Sequence, residues 1–201
     1  DFSTIIRKIR IFSGAILFAY VTMHLLNHSI NIFSIDFADA VRSSYFHPVW
    51  QNPVGLVLLY GSFVAHMILG FSSILTRKSF KMKGKDWIQI IFPVLALLFL
   101  LQHIAISFII TKIYGGEETY SVFFAAMNTE TPSDLIVGAI LFSLMTIFIW
   151  VHGVIGIDSY LKQQAVHHNK FTFYIRYPSL FRFIYWIVPV GAVLGWLSGL
   201  R

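Results

Sequence analysis

The stretch LIVGAILFSLMTIFIWVHGVIGIDSYL, Leu135–Leu161, holds no charged residue before Asp158, and a single imidazole, His152, interrupts its aliphatic and aromatic run. Such a run exceeds the ~20 residues that cross the ~30 Å hydrocarbon core of a bilayer as an α-helix. It reads as a membrane-spanning helix with a histidine at membrane depth. Four more stretches share its character: Ile11–Ile32, Pro53–Leu75, Trp87–Thr111 and Phe181–Leu200. The first is too long for a signal peptide and lacks a cleavage-site pattern.

The composition agrees. Of 201 residues, 57% are hydrophobic and 12% charged, and the mean hydropathy is +0.72. A soluble domain carries about twice that share of charge. The expected architecture is all-α: one domain over residues 1–201, a bundle of five transmembrane helices. The chain begins at Asp1 without a methionine and is expected to be part of a longer one. With no cysteine, this stretch has no disulfide, thiolate zinc site or cysteine-held iron–sulfur cluster. Eight histidines remain as its metal-binding residues.

The net charge is +6, but its placement speaks for a membrane rather than a nucleic acid. With the N-terminus in the cytoplasm, Arg42, Lys112 and Arg201 fall outside and the other twelve of the fifteen Lys and Arg residues inside. That is a positive-inside pattern. The second outer loop is acidic, with Glu117, Glu118, Glu130 and Asp134. The basic run from Arg77 to Lys85 reads as a topology signal beside anionic lipid. The expected location is the inner, cytoplasmic membrane, the partner is lipid, and nucleic acid is not a partner.

His47, His167 and His168 fall at the membrane surfaces, whereas His24, His28, His66, His103 and His152 fall inside spans. An ionisable side chain at membrane depth marks function, although one alone also serves as an interhelical hydrogen-bond partner. Depth separates the two readings. At ~1.5 Å per residue, His24 and His103 stand ~20 and ~24 Å above the inner ends of the first and third spans. His66 and His152 lie ~20 and ~26 Å below the outer ends of the second and fourth. Four helices thus supply one histidine pair to each leaflet, the arrangement that two bis-histidine b-type haems need. Gly153 and Gly156 after His152, Ala65 and Gly70 beside His66, and Gly14 on the first helix are small residues that leave room for a macrocycle, or for close helix packing. His28 lies one turn beyond His24 on the same face; depth does not decide which of the two binds iron and which meets a propionate, water or quinone.

Several runs carry a resemblance. His24-Leu25-Leu26-Asn27-His28, Leu58-Leu59-Tyr60-Gly61 before His66, Arg77-Lys78-Ser79-Phe80-Lys81-Met82, Gln89 with Pro93, and His152-Gly153-Val154-Ile155-Gly156 together resemble the succinate dehydrogenase cytochrome b-like membrane anchor of bacterial class III adenylate cyclases. The likeness runs from Arg7 to about Arg201. Its parent fold is the five-helix diheme cytochrome b subunit of succinate:quinone oxidoreductases. The resemblance implies His24 with His103 at an outer haem and His66 with His152 at an inner one. It favours His24 over His28, because the family's ligand is followed by Leu with an Asn shortly after. His28 is then either a hydrogen-bonded neighbour of the ligand or its substitute.

The resemblance further implies a redox sensor that exchanges electrons with membrane quinone and regulates a cytoplasmic cyclase, with ferredoxin-like and cyclase domains attached and a homodimer as the working unit. This stretch carries no catalytic residues for cyclic-AMP formation. The competing reading is the electron-transfer subunit of a succinate dehydrogenase or fumarate reductase; a transporter with proton-relaying histidines is a third. Arg7, Arg10, Arg176 and Arg182 flank the inner helix ends and are the candidate partners of the inner haem's propionates.

Overall fold

The computed structural model describes residues 2–79, 81–109, 119–127, 131–168 and 172–200. Thr111, Lys112, Glu117, Glu118, Glu130, Lys170 and Arg201, used above for span limits and charge placement, lie outside the described residues, as do the side chains of His167 and His168. The described chain is helical: α1 (Phe2–Ile30), α2 (Ile35–Val41), a π-helical turn (Arg42–Phe46), α3 (His47–Trp50), α4 (Pro53–Leu75), α5 (Gly84–Phe108), α6 (Tyr120–Met127), α7 (Pro132–His168), α8 (Thr172–Arg176) and α9 (Pro178–Gly199). Five of these, α1, α4, α5, α7 and α9, are long and apolar enough to cross a membrane. The protein is a multi-pass membrane protein.

Hydropathy locates the part of a helix that sits in hydrocarbon, not the helix itself. The second stretch matches α4 end to end, because Pro53 follows the N-cap Asn52, whose Oδ1 accepts from Val54 N and Gly55 N at 2.9 and 3.0 Å. By contrast α1 starts nine residues before Ile11, and α7 continues seven residues past Leu161. The added turns carry Arg7, Lys8, Arg10 and Lys162, polar residues that continue a helix well but fall outside an apolar window.

Contacts at the helix ends fix the topology. Arg10 reaches Ser73 Oγ late in α4 at 3.0 Å. Arg7, early in α1, donates to Gln163 Oε1, late in α7, at 2.6 Å, and Gln89, early in α5, to the carbonyl of His152, just past the middle of α7, at 2.9 Å. Trp150 donates to the carbonyl of Tyr185, early in α9, at 2.5 Å, and Ser198, late in α9, to the carbonyl of Asn31 at 2.9 Å. Hence α1, α5 and α9 run one way, and α4 and α7 the other. The end holding the N-terminus carries Arg7, Lys8, Arg10, Arg77, Lys78, Lys81, Lys83, Lys85 and Lys162 and is called the basic end; α2, α3 and α6 cover the far end.

Helix α1 packs on α4 and α9, and α7 on α5 and α9, with α1 also touching α7. Close approach of α9 to α1, and at its end to α6, depends on glycines four apart. A Cβ at Gly191 would meet Ser29 Oγ at 2.7 Å, one at Gly195 the His28 carbonyl oxygen at 1.9 Å, and one at Gly199 the Phe124 ring at 2.3 Å. Such small-residue spacing lets backbones touch where lipid offers no hydrophobic drive. The outward faces are apolar and open, with Val54 68%, Val57 73% and Leu98 65% exposed, as suits contact with lipid.

Candidate functional site

Between α1, α4, α5 and α7 lies a cavity of about 1340 Å³, beyond the ~300–1,000 Å³ of common small-molecule sites. His24, His66, His103 and His152 all line it, one from each helix. The rings of His24 and His103 have centroids 6.0 Å apart, and those of His66 and His152 are 6.1 Å apart. The two pairs stand at different levels. His66 lies against Gly14, where a Cβ would come 2.9 Å from its Cε1. Ten residues separate Gly14 from His24, or ~15 Å along α1. Phe18 of α1 and Thr146 of α7 line the wall between the levels.

Neighbours hold the rings of His66 and His24. His66 Nδ1 lies 3.2 Å from the carbonyl oxygen of Arg10 and 3.4 Å from Ser13 Oγ. With Nδ1 donating to that carbonyl, Nε2 keeps its lone pair, the usual preparation of a metal-binding imidazole. At the far-end pair, Tyr20 stacks on His24 with centroids 5.7 Å apart, and Trp50 meets Tyr20 edge-on at 5.3 Å. His28 Nε2 sits 3.3 Å from His24 Nε2. His28 does not line the cavity; it is buried against Tyr120 and Phe142, at 5.0 and 5.2 Å.

The small residues divide. At Gly70 and Gly156, both in the cavity wall, an added Cβ would meet nothing within 4 Å. At Gly153 it would run into the Phe18 ring at 2.5 Å, so the space beside Gly153 serves helix packing. The basic end of the cavity is polar. Arg7 and Arg10 line it, together with Arg77, Asp86 and Gln89, which the sequence reading did not single out for this role. Arg7 donates to Gln163 Oε1 at 2.6 Å. Arg176 and Arg182 are not in the wall; Arg176 lies 5.8 Å from the centroid of the Tyr177 ring. They sit on α8 and the start of α9, elements that pack on each other and on α7.

Two imidazoles that coordinate one metal from opposite sides have centroids about 6 Å apart, given nitrogen–metal bonds of about 2 Å and about 1 Å from each nitrogen to its ring centre. Both pairs meet this spacing. Among the described residues no three His, Cys, Asp or Glu side chains gather as a ligand set for a bare metal ion. Compared with family models, with curated proteins and with solved structures, the chain finds no match.

Proposed function

We propose that the bundle is a diheme cytochrome b-like membrane domain, with His24 and His103 as axial ligands of the far-end haem and His66 and His152 of the basic-end haem. The observation that carries the reading is the two pairs of neighbouring imidazoles, with centroids 6.0 and 6.1 Å apart, at two levels of one cavity. When bound, each haem supplies one-electron chemistry at a potential set by its ligands and surroundings. The chain's own groups do the rest. Arg10's carbonyl orients His66; Tyr20 and His28 flank His24; Arg7 and Arg10 place positive charge where carboxylate side groups need neutralising. The apolar faces keep water from the cavity between its two ends.

The wider reading is that this domain is the membrane anchor and quinone-responsive redox sensor of an adenylate cyclase in the cytoplasmic membrane, with its basic end in the cytoplasm, working as a homodimer. The runs around His24, His66 and His152 and the basic face support it, the latter by the positive-inside rule. Haem extraction tests the core of the proposal. The purified protein is expected to hold two b haems, both low-spin, and His66→Ala or His152→Ala to hold one. Two low-spin haems in every one of the four histidine variants would refute the assignment.

A further inference from the structure

On the outside of the bundle a groove of about 530 Å³ runs between α1 and α4. Its walls are Ile9, Phe12, Ile16, Val57 and Leu58, and its floor is made of small residues: Ser13, Gly61, Ser62 and Ala65. An added Cβ at Gly61 would meet nothing within 4 Å, so the groove stands open above it. Lys8 closes its basic end, exposed and, among the described residues, without an acidic partner.

Length and charge identify the occupant. Helices α1 and α4 are antiparallel and Ser13 stands level with His66, so the wall Lys8–Ile16 on α1 and the wall Ala65–Val57 on α4 are offset, and the groove extends ~20 Å from Lys8 to Val57. A transmembrane helix would need a seam along the whole ~30 Å hydrocarbon core, whereas an acyl chain starting at headgroup depth reaches only part of it. The basic side chain stands at the end where the apolar run gives way to Arg7, Lys8 and Arg10, the depth of a headgroup. We propose that this groove binds one anionic phospholipid, with an acyl chain over Gly61 and the headgroup phosphate on Lys8. Ser13 on the floor is 3.4 Å from His66 Nδ1, so the chain lies one side chain away from the basic-end histidine pair. The groove opens on the outside of the bundle, whatever the central cavity holds.

Native mass spectrometry of the protein, delipidated and then titrated with phosphatidylglycerol or phosphatidylcholine, tests it. The wild type is expected to retain one phosphatidylglycerol in preference to phosphatidylcholine. Gly61→Leu, which fills the groove, is expected to lose retention of both. Lys8→Gln, an exposed change that leaves packing alone, is expected to keep chain binding but lower the anionic preference about fivefold, the equivalent of about 1 kcal/mol per basic residue near a charged surface. Equal retention of the two lipids by the wild type, or unchanged retention by Gly61→Leu, overturns the proposal. So does a Gly61→Leu protein that changes from dimer to monomer while its lipid binding stays intact, since the groove is then a protein interface.

Discussion

His66 Nδ1 faces the main-chain carbonyl of Arg10 at 3.2 Å while its ring rests on Gly14. A backbone acceptor cannot be removed by side-chain substitution, so the position of this imidazole depends on the helix turn and on the missing Cβ. Gly14→Leu is therefore expected to push His66 out of place without touching His24. Pyridine haemochrome assay should give one haem per chain in this variant and two in the wild type, with the far-end haem unaltered. Two haems with unchanged spectra in Gly14→Leu would remove Gly14 from the site.

At the far-end pair, His28 Nε2 sits 3.3 Å from His24 Nε2, which leaves Nδ1 of His24 for a metal, and His28 does not reach the cavity. Removing a group that only orients a ligand lowers metal affinity about 10–100-fold without abolishing it. His28→Ala is expected to bind two haems when haem is in excess and to release the far-end one first on dilution, as followed by the Soret band. Loss of that haem in His28→Ala together with its retention in His24→Ala would exchange the two roles.

Gly195 faces the His28 carbonyl so closely that even one added carbon would lie 1.9 Å from it. Overpacking a core costs about 1–3 kcal/mol where side chains can yield, and backbone yields less. Gly195→Ala is expected to lose at least that much, seen as a lowered thermal midpoint in detergent. Gly84→Ala, whose new methyl meets nothing and which lies outside the cavity wall, is the matched control and should stay within the error of the wild type.

The fold's membrane part was legible because burial in lipid demands long, uncharged helices, and nothing else explains a run such as Leu135–Ile157. Which histidines share a level was legible too, since a helix converts sequence number into height. What the sequence hid is lateral. The Gly191, Gly195 and Gly199 stripe reads as ordinary membrane glycines until α9 is seen against α1 and α6. The cap of α2 and α6 over the far end was read only as loop, because short helices leave no hydropathy signal; Asp39 there binds the α6 backbone at Tyr120 N, 2.7 Å away. Which arginines face the cavity was equally hidden: Arg7, Arg10, Arg176 and Arg182 share a depth but not a side of the bundle.

Tyr174 ties α8 to the basic end by donating to Asp158, and its hydroxyl lies 2.8 Å from that of Tyr185. Burial, then these hydrogen bonds and the Asp158 charge, push the Tyr174 hydroxyl above the ordinary tyrosine range. A raised folded-state value means that the stability it contributes is complete below about pH 10, the unfolded value, and is lost as pH climbs through the folded one. The wild type is therefore expected to lose thermal stability above about pH 10 more steeply than Tyr174→Phe does. Parallel pH profiles for the two proteins would show that this hydroxyl takes no part.

A sensor needs two states whose energies differ with what it carries. Changing the cavity's charge by one unit alters its interaction with a cation 10 Å away by about 2 kcal/mol at an effective dielectric constant of about 20, enough to shift a balanced equilibrium more than tenfold. Arg7 and Arg10 line the basic end of the cavity, and each is bonded to another helix, Arg7 to Gln163 on α7 and Arg10 to Ser73 on α4. A change felt at the basic-end pair thus reaches the ends of three helices on the side where cytoplasmic domains attach in the proposed arrangement. In liposomes, the full-length protein is expected to make cyclic AMP at different rates with oxidised and with reduced quinone, and the difference to vanish in His66→Ala and His152→Ala. Arg7→Gln is expected to shrink the difference while both haems still change redox state. Equal synthesis under the two conditions, with both haems visibly oxidised in one and reduced in the other, would make the bundle an anchor without a sensing role.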